Sequence, residues 1–393
     1  MTSNRPSESS ALDGYRYRRR GPVELYLGDA AEVLAALPDA SVDCLVTSPP
    51  FWGLRDYGTG AWHGGDPACA HPQGHARRTD GVACPACQAR WVDPQYGLET
   101  SLDDYLDHLL EVFDQARRVL NPTGTCWVNL GDSYTAGTRL AYDTTGGIAG
   151  SRQLPAARRS APLPGKNLLG VPWRTAFALQ SSGWILRNAV VWAKSNPMPE
   201  SVRDRLSATY ELLFLFTKSP KYHFTLDPIR IPLARPEALD GTRIIGGSRK
   251  GRTGGVDATQ RRRGTSGYGS ATTKHTSELA AGAGSGNLRA VGHAHTAAHP
   301  AGRNPGDVWR IATRPYRGAH VAPFPLDLPL RAIAAGCPEG GLVLDPFCGA
   351  GTTGLAALQL GRRFVGIDIS AAFLDETLAR LAPHLPDPGQ VTE

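Results

Sequence analysis

Two neighbouring stretches near the C-terminus constrain the fold more than any other part of the chain. Leu342-Val343-Leu344 is an apolar run that stops on Asp345. A glycine-rich turn follows, Gly349-Ala350-Gly351-Thr352-Thr353-Gly354, and then an apolar segment with helical spacing. Phe364-Val365-Gly366-Ile367 is a second apolar run, and it stops on Asp368. A strand, a turn, a helix and another strand in that order predict parallel pairing, because only parallel neighbours need a crossover of that length. Ligands of such sheets sit at the carboxyl ends of the strands, where the glycines let main chain approach closely. An acid ending the second strand suits ribose hydroxyls, so a nucleoside-type ligand is expected. The spacing also satisfies the three-glycine pattern of dinucleotide enzymes, which keeps an NAD site open as a rival. Asp345-Pro346-Phe347 ahead of the turn argues against it.

The rest of the chain continues the alternation. Strands are predicted over 23–27, 42–46, 125–130, 185–192, 210–217, 341–344 and 364–367. Helices are predicted over 30–37, 102–120, 168–180, 326–335 and 353–360. The helix over 102–120 carries Leu102, Tyr105, Leu106, Leu109, Leu110, Phe113 and Ala116 on one face. The fold class is therefore α/β with a mostly parallel sheet. At 393 residues and 41% hydrophobic, the chain can fill a large core. Residues 1–20 and 383–393 are expected to be tails around a catalytic half (21–226), a basic insert (227–303) and a cofactor half (304–382). No run approaches a membrane span and no apolar leader follows the N-terminal arginines, so a cytoplasmic protein without a membrane partner is expected.

A strand ending at a double proline adds chemistry. Residues 42–46 run into Thr47-Ser48-Pro49-Pro50-Phe51, and proline cannot continue a ladder. This turn resembles the catalytic motif of DNA amino-methyltransferases, in which Ser, Asn or Asp precedes Pro-Pro and an aromatic residue. Asp345-Pro346-Phe347-x-Gly349-x-Gly351-Thr352 resembles their methionine-binding motif. The catalytic motif comes first, as in the permuted beta group of that family. The resemblance spans about residues 22–226 and 304–380. It implies a Rossmann-like methyltransferase fold and S-adenosyl-L-methionine as cofactor. It further implies that Ser48, Pro49, Pro50 and Phe51 act on the base. Asp29, Asp345, Phe347, Gly349, Gly351, Thr352 and Asp368 would line the cofactor site, with Asp29 near the adenine. Pro323-Phe324-Pro325 would close over the methionine end.

An exocyclic amine is a poor nucleophile because its lone pair is delocalised into the ring. The Ser48 hydroxyl and the Pro49 carbonyl can each accept one of its N–H bonds and aim the nitrogen. The base must leave the duplex to reach such a pocket, and Phe51 offers a stacking face. Trp52 belongs either to that pocket or to the core. Serine at the first motif position leans toward N4 of cytosine, whereas aspartate would lean toward N6 of adenine. Methylation at C5 of cytosine needs a Pro-Cys nucleophile, and no Pro-Cys dipeptide occurs. A non-catalytic DNA-binding protein with the same fold is the alternative of another class, and the intact Ser48, Asp345 and Asp368 argue against it. A cognate restriction endonuclease is a natural partner of such an enzyme.

Two inserts remain. Residues 58–97 are rich in Gly, Pro, His and Cys. Cys69-x-His71 and Cys84-Pro85-Ala86-Cys87 offer four ligands with the spacing of a tetrahedral structural zinc site. His75 competes with His71, and free thiols or a redox pair are the simpler readings. The other cysteines, Cys44, Cys126, Cys337 and Cys348, read as small core residues. Residues 228–303 carry twelve Lys and Arg against four Asp and Glu, in a chain of net charge +6. That excess suits phosphate contact with double-stranded DNA and target recognition, or a solvated linker. The loop over 136–165, with Arg139, Arg152, Arg158 and Arg159, is a second candidate DNA surface.

Overall fold

The computed structural model describes residues 12–71, 81–135, 163–233, 299–316, 318 and 323–386. Two compact units divide the chain, one formed by Met1–Thr225 with Gly306–Glu393 and the other by Leu226–Pro305.

The first unit is built on a nine-stranded sheet. Its strands are β1 (Arg16–Arg20), β2 (Val23–Leu27), β3 (Val42–Thr47), β6 (Leu120–Leu130), β7 (Ile185–Lys194), β8 (Tyr210–Thr217), β9 (Val308–Ile311), β10 (Leu342–Asp345) and β11 (Arg363–Asp368). A separate pair, β4 (Ala61–His63) and β5 (Arg90–Val92), lies within the Cys- and His-rich insert. The order across the large sheet is β1-β2-β11-β10-β3-β6-β8-β7-β9. Strands β2, β11, β10, β3 and β6 are mutually parallel. Strand β8 runs antiparallel to β6 and to β7, and β9 is parallel to β7. The sheet is thus mixed, with a parallel centre.

Helices α1 (Ala30–Ala36), α2 (Leu102–Val119) and α3 (Val171–Ser181) pack on one face, and α4 (Asp327–Gly336), α5 (Thr352–Gln359) and α6 (Ala371–Leu381) on the other. This explains why the central strands read as unbroken apolar runs: both faces are covered. In β8, Phe214 and Phe216 join the α1–α3 core while Leu213 and Leu215 join the α4–α6 core. Helix α2 starts where its capping chemistry says it should. Ser101 accepts the Asp104 N–H, acids fill the first turn, and Arg117 and Arg118 sit in the last. Its far end is tied to α1 by Arg118, whose guanidinium donates to the Leu34, Ala35 and Leu37 carbonyls. Those carbonyls belong to α1's last turn, where main-chain acceptors lack a full set of helical partners.

The structure corrects several expectations. Residues 16–20 are not a tail but the edge strand β1, paired antiparallel with β2. Tyr17 donates to Asp375 at 2.7 Å and Arg20 to the Pro386 carbonyl at 3.0 Å. Its arginines disguise it, yet outward charges are what an edge strand carries to deter pairing with another chain. The C-terminal tail likewise begins later than residue 383, because Ala382–His384 form a 3-10 turn and Leu385 is buried. Strand β6 starts directly at Leu120, so Asn121-Pro122 lie within it, at a register shift opposite Val42 and Cys44. Helix α6 and strand β9 were not anticipated. In the second unit, Ile231 bridges Arg303, and Arg230 pairs with Asp227 at 2.7 Å. Among the described residues, no helix is long and apolar enough to cross a membrane.

A chain beginning at Val23 would expose the β2 edge and lose the Tyr17 and Arg20 contacts. Its thermal midpoint should fall by roughly 4 °C or more, a loss of about 1–2 kcal/mol for a unit this large. An unchanged midpoint would return residues 16–20 to the status of a tail.

Candidate active site

Strands β3 and β10 are parallel neighbours, with Cys44 and Leu45 beside Val343 and Leu344. Their carboxyl ends therefore deliver the Ser48-Pro49-Pro50 turn and the glycine turn to the same edge of the sheet. One carboxylate joins the two. Asp345 is buried, and its Oδ1 accepts from the Thr47 hydroxyl at 2.6 Å and the Phe347 N–H at 3.1 Å. Its Oδ2 accepts from the Thr353 hydroxyl at 2.6 Å. Burial pushes its pKa up to about 6, against the pull of those three bonds toward the ionised form. Asp345 thus fastens loop to loop, and both of its oxygens are engaged within the protein.

The serine turn is fixed from several sides. The Ser48 hydroxyl lies 3.1 Å from Asn129 Oδ1 on β6. Asn129 Nδ2 donates to Glu211 Oε2 and to the Leu212 carbonyl, each at 3.1 Å. Lys194 Nζ holds the other Glu211 oxygen at 2.6 Å. Both partners of Nδ2 are acceptors, so the amide orientation is determined and Oδ1 must face Ser48. An amide oxygen cannot donate, so the serine supplies the proton of this bond. Its own lone pairs remain available toward the cleft. The Pro50 carbonyl accepts from the Tyr105 hydroxyl at 2.9 Å. The Phe51 ring rests on the main chain of Gly131, where a Cβ would lie 2.6 Å from the ring. Trp52 is core: it is 1% exposed and its Nε1 donates to the Glu99 carbonyl.

On the other side of the edge, Gly349 and Gly351 take left-handed φ of +48° and +70°. Gly351 caps α5 against Thr377, which a Cβ there would approach to 2.7 Å. Asp368 ends β11 half-buried, accepting the Gly349 N–H on one oxygen and the Ser370 N–H on the other, both at 2.9 Å. The Ile369 N–H also bonds this carboxylate, so three main-chain donors hold it at the strand end. Burial raises the Asp368 pKa to about 6. Asp29 caps α1 by accepting the Ala31 and Glu32 N–H groups, and the Tyr96 hydroxyl also bonds it. Thr352 is buried and its hydroxyl accepts from Arg380 at 2.8 Å, so its side chain is engaged within the protein. Phe324 packs in the α4–α6 core.

Three aromatics at this cleft were not expected from the sequence. Tyr96 meets Phe347 edge-on at 5.3 Å between ring centres, beside Asp29. Tyr57 meets Phe373 edge-on at 6.3 Å, and the Asp368 charge acts on it. Tyr57 and Tyr96 lie at the borders of the Gly- and Pro-rich insert, and Phe373 lies in helix α6, which the sequence pattern did not mark.

In the insert, the ligand atoms of Cys69, His71, Cys84 and Cys87 all lie within 4.8 Å of one another. The Cys69 and Cys84 sulfurs are 3.9 Å apart, and His71 Nε2 is 3.2 Å from the Cys87 sulfur. His75 falls outside the described residues. So do Arg139, Arg152, Arg158 and Arg159, and the arginines between 249 and 263.

Known proteins resemble this chain over almost all of its length. The family described as DNA methylase, of the N6 and N4 type, matches residues 42–379. The type II methyltransferase M.Cfr9I of Citrobacter freundii is 35% identical over 380 residues, 95% of this chain and 94% of its own. The type II methyltransferase M.SmaI of Serratia marcescens is 33% identical over 353 residues, 89% of this chain and 87% of its own. Among solved structures, the cytosine-N4-specific PvuII DNA methyltransferase aligns with a TM-score of 0.50 at 15% identity, covering 95% of this chain and 91% of that one. At that identity the match speaks for the fold alone.

The Asp345 bridge makes a prediction about pH. Its folded pKa of about 6 lies above the ordinary 3.8, so the folded protein holds this proton more tightly than the unfolded chain. The stability it contributes is complete below about pH 4 and is lost as pH rises through about 6. Urea titrations should show wild type losing on the order of 3 kcal/mol relative to Asp345→Asn between about pH 4 and pH 8. A difference that is flat across this range would refute the assignment.

Proposed function

The chain belongs to the N6/N4 family of DNA methylases, and from that premise we propose that it methylates N4 of cytosine in double-stranded DNA, using S-adenosyl-L-methionine. The observation that carries this reading is the direction of the Ser48 proton. Because Asn129 Oδ1 takes it, the serine oxygen is committed as an acceptor. Beside it, no donor among the described residues occupies the Pro49 carbonyl. Two acceptors side by side suit the two N–H bonds of an amino group. They favour a pyramidal nitrogen with its lone pair free for in-line attack.

The cofactor residues fit the group. Asp368 ends β11 beside the glycine turn as a carboxylate acceptor for a ribose, and Phe347, Tyr96 and Tyr57 supply apolar walls. Asp29 stands beside Tyr96 for the adenine end. S-adenosyl-L-methionine brings an electrophilic methyl group on a sulfonium. The protein's own work is to hold the amine opposite it, to exclude water, and to receive the ring on Phe51 once the base has left the helix. Asp345 contributes by keeping the two turns in register, not by touching the methionine through a free oxygen.

Serine at position 48 is the basis for choosing cytosine N4 over the runner-up, adenine N6. The serine turn precedes the glycine turn in the chain, and both end central strands of one sheet, which supports the permuted beta-group arrangement. The basic residues of 227–303 and of 136–165 are proposed to read the target. A type II relationship further suggests a cognate endonuclease as partner.

Ser48→Ala should lower kcat by at least ~10²-fold while changing cofactor affinity little, since the lost acceptor acts on the amine. Asn129→Leu should lower kcat by about tenfold, because the serine proton is then free to point at the substrate. Full turnover in the Ser48 variant would remove the mechanism. Modified-base sequencing of DNA from cells expressing the chain should report N4-methylcytosine at one short motif. Finding N6-methyladenine there would overturn the base choice and leave the mechanism intact.

A further inference from the structure

The insert between the serine turn and α2 has too little core to hold its own shape. Of the apolar side chains of residues 58–97, only Cys84 and Ala89 are buried among the described residues. A segment of that size needs a cross-link or a metal. Its cysteines and histidine converge at the right spacing for a metal. Tetrahedral zinc with sulfur ligands at about 2.3 Å places the sulfurs about 3.8 Å apart, and the Cys69 and Cys84 sulfurs are 3.9 Å apart. A disulfide would require about 2.05 Å.

The surroundings are built for such a centre. The Ala89 and Asp66 N–H groups bond the Cys87 sulfur. Gln88 N–H returns to the Cys84 carbonyl at 2.9 Å, with Gln88 left-handed at φ +62°, which turns the chain tightly around the Cys-x-x-Cys pair. Gly65, at φ +72°, brings main chain so near that a Cβ would lie 2.7 Å from the Cys87 sulfur. Trp62 stacks on His71 at 5.1 Å and fixes the ring.

The insert is also wired to the cofactor cleft. Trp62 and Trp91 pair across β4 and β5. Below them, Thr59 donates to Asp93 at 2.6 Å. Buried Gln95 then ties the two stems together: its Oε1 accepts the Tyr57 N–H at 2.7 Å and its Nε2 donates to the Arg55 carbonyl at 2.8 Å. Gly53 N–H donates to the Gly97 carbonyl at 2.6 Å beside the serine turn. The outgoing stem carries Tyr57 to Asp368 and Phe373, and the returning stem carries Tyr96 to Asp29 and Phe347.

We propose that Cys69, His71, Cys84 and Cys87 bind one Zn²⁺ as a closed structural site, and that this clasp holds Tyr57 and Tyr96 as walls of the cofactor pocket. The second part rests on reading that cleft as the S-adenosyl-L-methionine site. Four protein ligands leave no open coordination position, so the metal takes no part in methyl transfer. Its influence on the reaction passes through Gln95 and the two stems.

Full-length protein should contain about one equivalent of zinc by elemental analysis, and Cys84→Ser/Cys87→Ser should contain less than about a tenth. Calorimetric titration with S-adenosyl-L-methionine should show binding at least ~10-fold weaker after chelation, with recovery on adding Zn²⁺ back to wild type but not to the double variant. Tyr96→Ala should retain zinc and lose affinity to a similar degree, which tests the wall even where the cysteine variant fails to fold. Zinc below about a tenth of an equivalent, or a Cys84–Cys87 disulfide in mass spectra, would overturn the metal site. A stripped, folded protein that binds the cofactor as tightly as before would overturn the coupling. Absence of cofactor binding in zinc-replete wild type would sink the cofactor reading instead, and with it the role of the walls, while leaving the metal site standing.

Discussion

A single buried carboxylate holds together two loops that are 298 residues apart in sequence. Asp345 accepts the Thr47 hydroxyl from one turn, and the Thr353 hydroxyl and Phe347 N–H from the other. Transferring a carboxylate from water to this depth is costly, and its raised pKa reflects that cost. Three donors offset much of it and convert the remainder into positional order. Neither turn has regular structure of its own. Their relative placement depends on the parallel pairing of β3 with β10 and on this junction at its tip.

The serine side relies on a second polar chain, running from Ser48 through Asn129 and Glu211 to Lys194. Its members come from β6, β8 and β7, the half of the sheet where the strands turn antiparallel. The active edge is therefore framed by two kinds of support. On the glycine side, donors converge on an acid. On the serine side, an amide of determined orientation sets the direction of one hydroxyl proton. Asp345 and Asn129, at the centre of the two supports, are both buried within the sheet, where water competes least.

Much of this was legible in the sequence because chain direction and strand ends are written in it. Apolar runs that stop on an acid or a double proline announced β3, β10 and β11, and the Cys and His spacing announced the cluster. Other features were hidden for identifiable reasons. Strand β1 is masked by Arg16, Arg18, Arg19 and Arg20, since an edge ladder needs only main chain. Helix α6 carries Leu374, Thr377 and Leu381 inward, a weaker apolar stripe than that of α2. Asn129 sits in an ordinary apolar strand, and only the pairing of β6 beside β3 gives it meaning. The bonding of Asp345 could not be foreseen, because its partners Thr47 and Thr353 come together only in three dimensions. The same holds for Tyr57 and Tyr96, whose positions depend on the Gln95 tie across the stems.

The contact between Phe51 and Gly131 has a mechanical consequence. A ring backed by a flexible side chain can tilt away when something flat presses on its open face. Here the backing is peptide, with no rotamer to yield and a gap too small even for a methyl group. The position of the Phe51 ring on this side is therefore set by the polypeptide itself and not by the rotamer of a neighbouring side chain.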